Sequence, residues 1–431
     1  MMTKNLSINE NGHLTVGGAD TVELAREFKT PLYVMDEQLI RENCRMFKDA
    51  FDKYYGGNGL PLFAGKSFLC KEMCRILKEE KMGLDVVSGG ELYTAVKAGF
   101  PMENVFFHGN NKTENELILA INENVGRIVI DNITELLTLS KLAEKSGKTV
   151  NVLFRLKPGI DAHTHDFIRT GQIDSKFGFA IETGEAFEAV KTAKDVAGIN
   201  ITGIHCHIGS QIFELDPFKE AAKVMFAFIV KVKNELSVDI TELNLGGGFG
   251  IKYLDKDKPK KYEEFIEEVS TVLNTLAKEN NIKLPKIFIE PGRSITGPAG
   301  LTLYTVGSVK EIPQKRTYVI IDGGMTDNPR YALYGAPYQA YVANKANEER
   351  SETVTIAGRC CESGDLIQEH TNLQKSEPGD IVAVLATGAY NYSMSSNYNR
   401  IPRPPVVMVK DGKARVVIKG ETYDDLLRND I

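Results

Sequence analysis

Residues 201 to 246 read ITGIHCHIGSQIFELDPFKEAAKVMFAFIVKVKNELSVDITELNLG. The opening ITGIHCHI is short, apolar and β-branched, the composition of a strand buried on both faces. PFKEAAKVMFAFIVKVKNEL then repeats its apolar residues at helical spacing, and ELNLG (242 to 246) is a second short apolar run. Together they make one strand–helix–strand unit.

The pattern continues in both directions. LFAG (62 to 65), LDVVS (84 to 88), VFFH (105 to 108), RIVID (127 to 131) and VNVLFRL (150 to 156) precede it, and KIFIE (286 to 290) follows. Amphipathic stretches such as GELYTAVKAG, TELLTLSKLAEKSG and GEAFEAVKTAKDVAG lie between the strands. Eight strands alternating with helices predict an α/β fold, a closed TIM-like (β/α)8 barrel. An open doubly wound sheet is the alternative that the pattern leaves standing. After residue 295 the texture changes: LTLYTVGSVKEI, RTYVIIDGG, ETVTIAGRC, GDIVAVLATGAY and PVVMVKDGKARVVIKG are strands separated by turns. The strand-like HLTVGG and TPLYVMD near the start are assigned to that same β-rich domain. The expected organisation is therefore a barrel at 37–296 inserted into a β-rich domain made of 1–36 and 297–431.

Composition bounds the function. A chain of 431 residues, 42% hydrophobic and 26% charged, is an ordinary globular protein too long for one core. A net charge of −6 without a long basic run argues against nucleic acid or an anionic membrane as partner, so a small molecule is expected. The first residues carry no charged-then-apolar leader, which makes a cytoplasmic location the plain reading. Six cysteines show no paired zinc spacing. Cys70 and Cys74 fall in a helical pattern and read as core; the adjacent Cys360 and Cys361 are expected to be free thiols in a reducing compartment.

In such a barrel the chemistry sits at the C-terminal ends of the strands. Those ends carry Lys66, Asp85 with Ser88, His108, Arg155, His207, the glycines of GGGFG (246 to 250), and Glu290. Lys66 reads either as a nucleophilic amine or as a lysine reaching solvent at a strand end. GGGFG lacks the third glycine of a dinucleotide fingerprint but follows the seventh strand, where barrels bind phosphate. His205 and His207 share a strand face; without a third ligand in register no metal is expected. Glu290 and Arg293 in EPGR read as a structural ion pair or as ligands. An amine, a phosphate cradle and a carboxylate together describe a pyridoxal phosphate site.

FAGKSF, LDVVSGGEL, HCHIGSQI, NLGGGFGI, EPGRSI, NPRYALYGA, RCCESGD and GAYNYSMSSNYN, in that order, resemble the motif set of bacterial diaminopimelate decarboxylases, members of the alanine-racemase-like, fold-type III pyridoxal phosphate enzymes. The likeness spans nearly the whole chain. It departs in the first motif, where Lys66 is kept but its neighbours differ from the commoner Ala-Val/Leu-Lys-Ala-Asn. The resemblance implies that Lys66 ties the cofactor and that His207 stacks on its ring. Glu290 pairs with the ring nitrogen, and Ser210, Gly247, Gly248, Gly250 and the EPGR backbone, Gly292 included, surround the phosphate. Asp85, Arg293 and Tyr390 are also counted among the cofactor's neighbours. It further implies that Arg293, Arg330, Tyr334, Glu362 and Tyr390 bind substrate, and that Cys361 returns a proton. Cys361 and Glu362 would enter from the second subunit of a homodimer. The implied reaction is decarboxylation of meso-diaminopimelate at its D-configured carbon to L-lysine, the last step of bacterial lysine biosynthesis. An ornithine- or arginine-type decarboxylase of the same fold is the main alternative, with an alanine racemase and a non-catalytic cofactor carrier behind it. The polar DAHTHDFIRTGQIDSKFGF (161 to 179) suits an active-site loop or a plain surface loop.

Overall fold

A computed structural model describes residues 4–160 and 174–431. The chain divides into two compact units, one of Asn43–Gly250 with Pro259–Gly292, the other of Met1–Glu42, Ile251–Lys258 and Arg293–Ile431.

The first unit is a closed barrel. Its strands are β1 (Gly59–Ala64), β2 (Gly83–Val86), β3 (Val105–Phe107), β4 (Arg127–Ile130), β5 (Val150–Lys157), β6 (Ile199–Cys206), β7 (Glu242–Asn244) and β8 (Lys286–Ile289). Each pairs in parallel with the next, and β8 returns to β1 through Ile287↔Gly59 and Ile289↔Pro61. The closed order excludes the open sheet. Parallel strands are covered on both faces, which is why they read as apolar runs. Leu62, Phe106, Val129, Leu153 and Phe288 meet as a buried cluster, a packed interior and not a pore. The helices between strands are capped by local chemistry. Ser88 accepts from Glu91 N, Thr113 and Glu116 form a reciprocal capping box, and Asn132 accepts from Glu135 N. Asp216–Leu236 buries Phe218, Met225, Phe226 and Ile229 along one face, and Phe218 meets Phe265 edge-on at 5.0 Å. Cys70 and Cys74 are buried as expected, and the Cys70 thiol itself caps the helix Lys71–Glu79, accepting from Met73 N at 3.4 Å.

The second unit is β-rich. Its longest strand, Gly300–Ile312, pairs with Leu32–Asp36 and Ile381–Leu385 over its first half and with Arg316–Ile321 over its second. The register shifts between Val306 and Ser308, so one strand serves two sheet surfaces. Apolar clusters around Val34, Leu301 and Val407 and around Tyr304, Ile356 and Val382 fill these surfaces. TPLYVMD joins this sheet, while the strand within HLTVGG (Leu14–Val16) pairs with Leu6–Ile8 and Ala19–Asp20 in a separate three-stranded meander of the same unit. Strand composition is local, whereas the choice of partner is not.

Among the described residues no helix is long and apolar enough to cross a membrane. Most of the polar stretch 161–179, His163 and His165 included, lies outside the described residues.

Candidate active site

Lys66 follows β1 on a single helical turn, Gly65–Ser67. The turn is tightly held: Ser67 Oγ donates to the Ala64 carbonyl at 2.8 Å, and Ala64 N donates to the Pro291 carbonyl at 3.1 Å. Gly65 and Ser67 are buried while Lys66 is exposed. Its ammonium acts electrostatically on Asp85, Glu91 and His207, the groups that line this end of the barrel.

Glu290, one residue past β8, is the electrostatic centre. It is buried, and its carboxylate is met by three side chains: Asn244 Nδ2 at 2.7 Å from the end of β7, His108 Nε2 at 3.1 Å after β3, and His205 Nε2 at 3.2 Å on β6. Burial alone would protonate this group. The imidazoles of His205 and His108 outweigh it and hold the carboxyl well below the usual range. His205, pushed down to about 4 by burial, is a neutral donor. Asp85 stands 3.7 Å from His108 and is raised to about 6 by burial. His108, His205 and Glu290 have the donor types of a metal site, all within 4.8 Å. The Asn244 amide decides against that reading. Its Oδ1 accepts from Gly246 N at 2.9 Å, so its NH2 must face Glu290, as suits an anion and not a cation. His205 therefore gathers with His108 and Glu290, and not with His207 as strand parity suggested. β6 ends at Cys206, and past that point alternation no longer applies.

The glycine loop is a cradle that side chains would fill. A Cβ on Gly247 would lie 2.2 Å from the Glu290 carbonyl oxygen, and Gly248, at φ +112°, would press on the Gly209 carbonyl at 2.6 Å. Ile212 N donates to the Gly248 carbonyl at 2.8 Å and Gly250 N to the Ile212 carbonyl at 3.0 Å, which zips this loop to the Ser210 loop after β6. Gly247 N donates to His207 Nδ1 at 3.2 Å. Burial, together with the nearby Lys66 ammonium, keeps His207 neutral, well below its ordinary pKa. Gly292 packs where a Cβ would meet that of Ala64 at 2.9 Å. An exposed amine, an ionised buried carboxylate and a side-chain-free cradle fit pyridoxal phosphate, which needs an amine anchor, a ring-nitrogen partner and phosphate donors.

The β-rich unit brings together a second group. Arg293 and Arg330, both buried, donate from Nη1 to the same atom, the Tyr253 hydroxyl, at 2.7 and 2.9 Å. Tyr390, at φ +66°, lies under both, with guanidinium carbons 4.8 and 5.7 Å from its ring. Tyr334 is partly exposed, 5.9 Å from Arg330. In RCCESGD it is Asp365 that builds the turn. Its buried carboxylate accepts from Cys360 N at 2.7 Å and Met325 N at 2.6 Å. The Cys360 thiol is pushed up to about 12 by burial and by that carboxylate, while Cys361 and Glu362 are exposed. Among the described residues Cys361 and Glu362 make no hydrogen bond or ion pair to Arg330, Tyr334 or Tyr390. Residue-by-residue reading passed over Asn244, Tyr253 and the approach of His108 and His205 to Glu290. A polar Asn244 inside ELNLG was a visible signal. Tyr253, in an irregular segment without period, offered none.

Comparison with known proteins agrees with this chemistry. Residues 37–297 match the family model described as pyridoxal-dependent decarboxylase, pyridoxal binding domain. The chain is 48% identical to diaminopimelate decarboxylase of Bacillus subtilis (98% of this chain, 96% of that one) and 46% identical to that of Staphylococcus aureus (98% of each). Among solved structures, diaminopimelate decarboxylase from M. jannaschii in complex with L-lysine superposes with a TM-score of 0.93 at 35% identity, over 100% of this chain and 99% of that one. The chain belongs to the pyridoxal-dependent decarboxylases, within the diaminopimelate decarboxylase family.

Proposed function

We propose that this protein decarboxylates meso-2,6-diaminopimelate at its D-configured carbon, giving L-lysine and carbon dioxide, with pyridoxal 5'-phosphate as cofactor. The observation that carries the reading is the ionised Glu290 carboxylate, ringed by donors, in a chain with 48% identity to a diaminopimelate decarboxylase over 98% of its length. When bound, the cofactor supplies an electron sink for the pair released as the carboxylate leaves.

The chain's own residues take the following roles. Lys66 anchors the cofactor through its amine and exchanges protons there. Glu290 keeps the ring nitrogen protonated, since an ionised carboxylate favours a cation beside it. His207, neutral and held by Gly247 N, covers one face of the ring. Asp85, Ser210, Gly247, Gly248, Gly250 and Gly292 complete the cofactor's surroundings, the glycines and Ser210 at the phosphate. Arg293 and Tyr390 serve cofactor and substrate alike. Arg330 and Tyr334 take the far carboxylate, for which a guanidinium offers paired donors. Glu362 takes the far ammonium, and Cys361 delivers a proton to the reacting carbon. Cys361 and Glu362 are exposed on a turn held by Asp365. That suits groups presented to the active site of a second copy in a cytoplasmic homodimer.

Release of carbon dioxide from meso-diaminopimelate, ornithine, arginine and lysine, measured side by side, tests the reading. Turnover of meso-diaminopimelate well above the other three is expected. A preference for ornithine or arginine would replace it with the basic amino acid decarboxylase.

A further inference from the structure

Tyr253 has no part in the roles above. It lies in Ile251–Lys258, the segment that follows the glycine loop and belongs to the β-rich unit. Its ring packs edge-on against Tyr338, 5.5 Å away at 90°, and its hydroxyl accepts from both Arg293 and Arg330. The guanidinium carbons stand 5.8 and 5.7 Å from the ring centre. Two buried guanidiniums thus converge on one phenolic oxygen. Their repulsion is strong in a site from which water is withdrawn. Burial would raise the Tyr253 phenol, yet the two guanidiniums outweigh it and hold the group below its ordinary range. Among the described residues Arg330 has no carboxylate partner.

We propose that Tyr253 is a positioning residue: its hydroxyl locks the guanidinium of Arg330 against that of Arg293, so that the remaining N–H groups of Arg330 receive a ligand's carboxylate. The inference rests on the reading that the substrate carries carboxylates, and it names the residue behind the grip on them. An arginine free to rotate loses rotamer entropy when a ligand fixes it. A guanidinium already tied to Tyr253 loses less, and the Arg330 fork is set for a planar anion in advance.

Tyr253→Phe tests this, because it keeps the ring against Tyr338 and removes only the shared acceptor. In the holoenzyme the KM for meso-diaminopimelate should rise about tenfold while kcat changes by less than about threefold. Two ligands separate positioning from packing. L-lysine keeps a carboxylate, and cadaverine is the same diamine without it. By titration calorimetry, L-lysine binding should weaken about tenfold and cadaverine binding less than about twofold. Equal losses for both ligands, or an unchanged KM, would overturn the proposal. The melting temperature and the visible absorbance of bound cofactor should match the parent; a variant that loses either marks Tyr253 as packing and overturns it too. If the parent releases no carbon dioxide from meso-diaminopimelate, the substrate reading falls, and the two ligands still decide the role of Tyr253.

Discussion

Glu290 and Tyr253 sit in two units and solve opposite electrostatic problems. Glu290 is one anion met by an amide and two imidazoles, a group whose charge is answered from within the barrel. Tyr253 is one phenolic oxygen met by two guanidiniums, and Arg330 has no carboxylate partner among the described residues. A buried charge is costly unless paired. The first arrangement thus surrounds its anion with groups of the protein, whereas in the second Arg330 has no carboxylate partner among the described residues. The barrel holds a fixed chemical setting, while the arginine pair is built to recognise.

The largest effect should come from deleting the anion of the complete group. Glu290→Gln keeps the shape and removes the charge, and turnover of meso-diaminopimelate should fall about a thousandfold. A steady-state rate within tenfold of the parent would break the comparison at its root. Next is a third arrangement, self-sufficient like the first. Lys112 Nζ, buried, donates to Glu135 Oε1 at 2.8 Å and to the Val129 carbonyl at 2.7 Å. Glu135→Gln should cost about 3 kcal/mol in urea unfolding, while Lys112→Met with Glu135→Leu should recover most of it. An additive double variant would show that the pair is not a closed unit.

On the incomplete side, Arg330→Met should raise the KM for meso-diaminopimelate about fiftyfold with a smaller change in kcat. Equal loss in both would assign Arg330 to chemistry and not to recognition. The smallest effect is a slope. His205 titrates near 6.5 when unfolded and about 4 when folded, so the unfolded chain binds the extra proton between those values. Its contribution is present above the upper value and is lost as pH falls toward the lower one. Asp85, raised from 3.8 to about 6, acts with the opposite sign over an overlapping window. His205→Asn should flatten the decline of the urea midpoint between pH 6.5 and 4, and Asp85→Asn should steepen it. Parallel profiles would remove both groups from the acid response.

Much of the barrel was legible because covered strands read as apolar runs and the helices between them show a period. The strand-end rule found Lys66, Asp85, His108, Arg155, His207 and Glu290, since each follows directly from the end of a recognisable run. It failed for His205. A residue two before His207 looked like its partner, but the strand stops at Cys206, and His205 turns to Glu290, a group 85 residues away. Tyr253 was invisible for a related reason. Its two arginines lie 40 and 77 residues downstream, and nothing local marks their meeting. In RCCESGD the reactive pair drew attention, while Asp365 proved to be the residue that shapes the turn.

From its residue order alone, then, this chain declares a barrel, a β-rich companion, an amine at position 66 and a motif series that names its family. Period, composition and spacing are properties of neighbours in the chain. Which carboxylate stays ionised, which thiol of the pair is partly covered, and which oxygen two arginines share are decided only when distant segments meet. Charge, burial and hydrogen bonding act through space, and folding alone sets those distances.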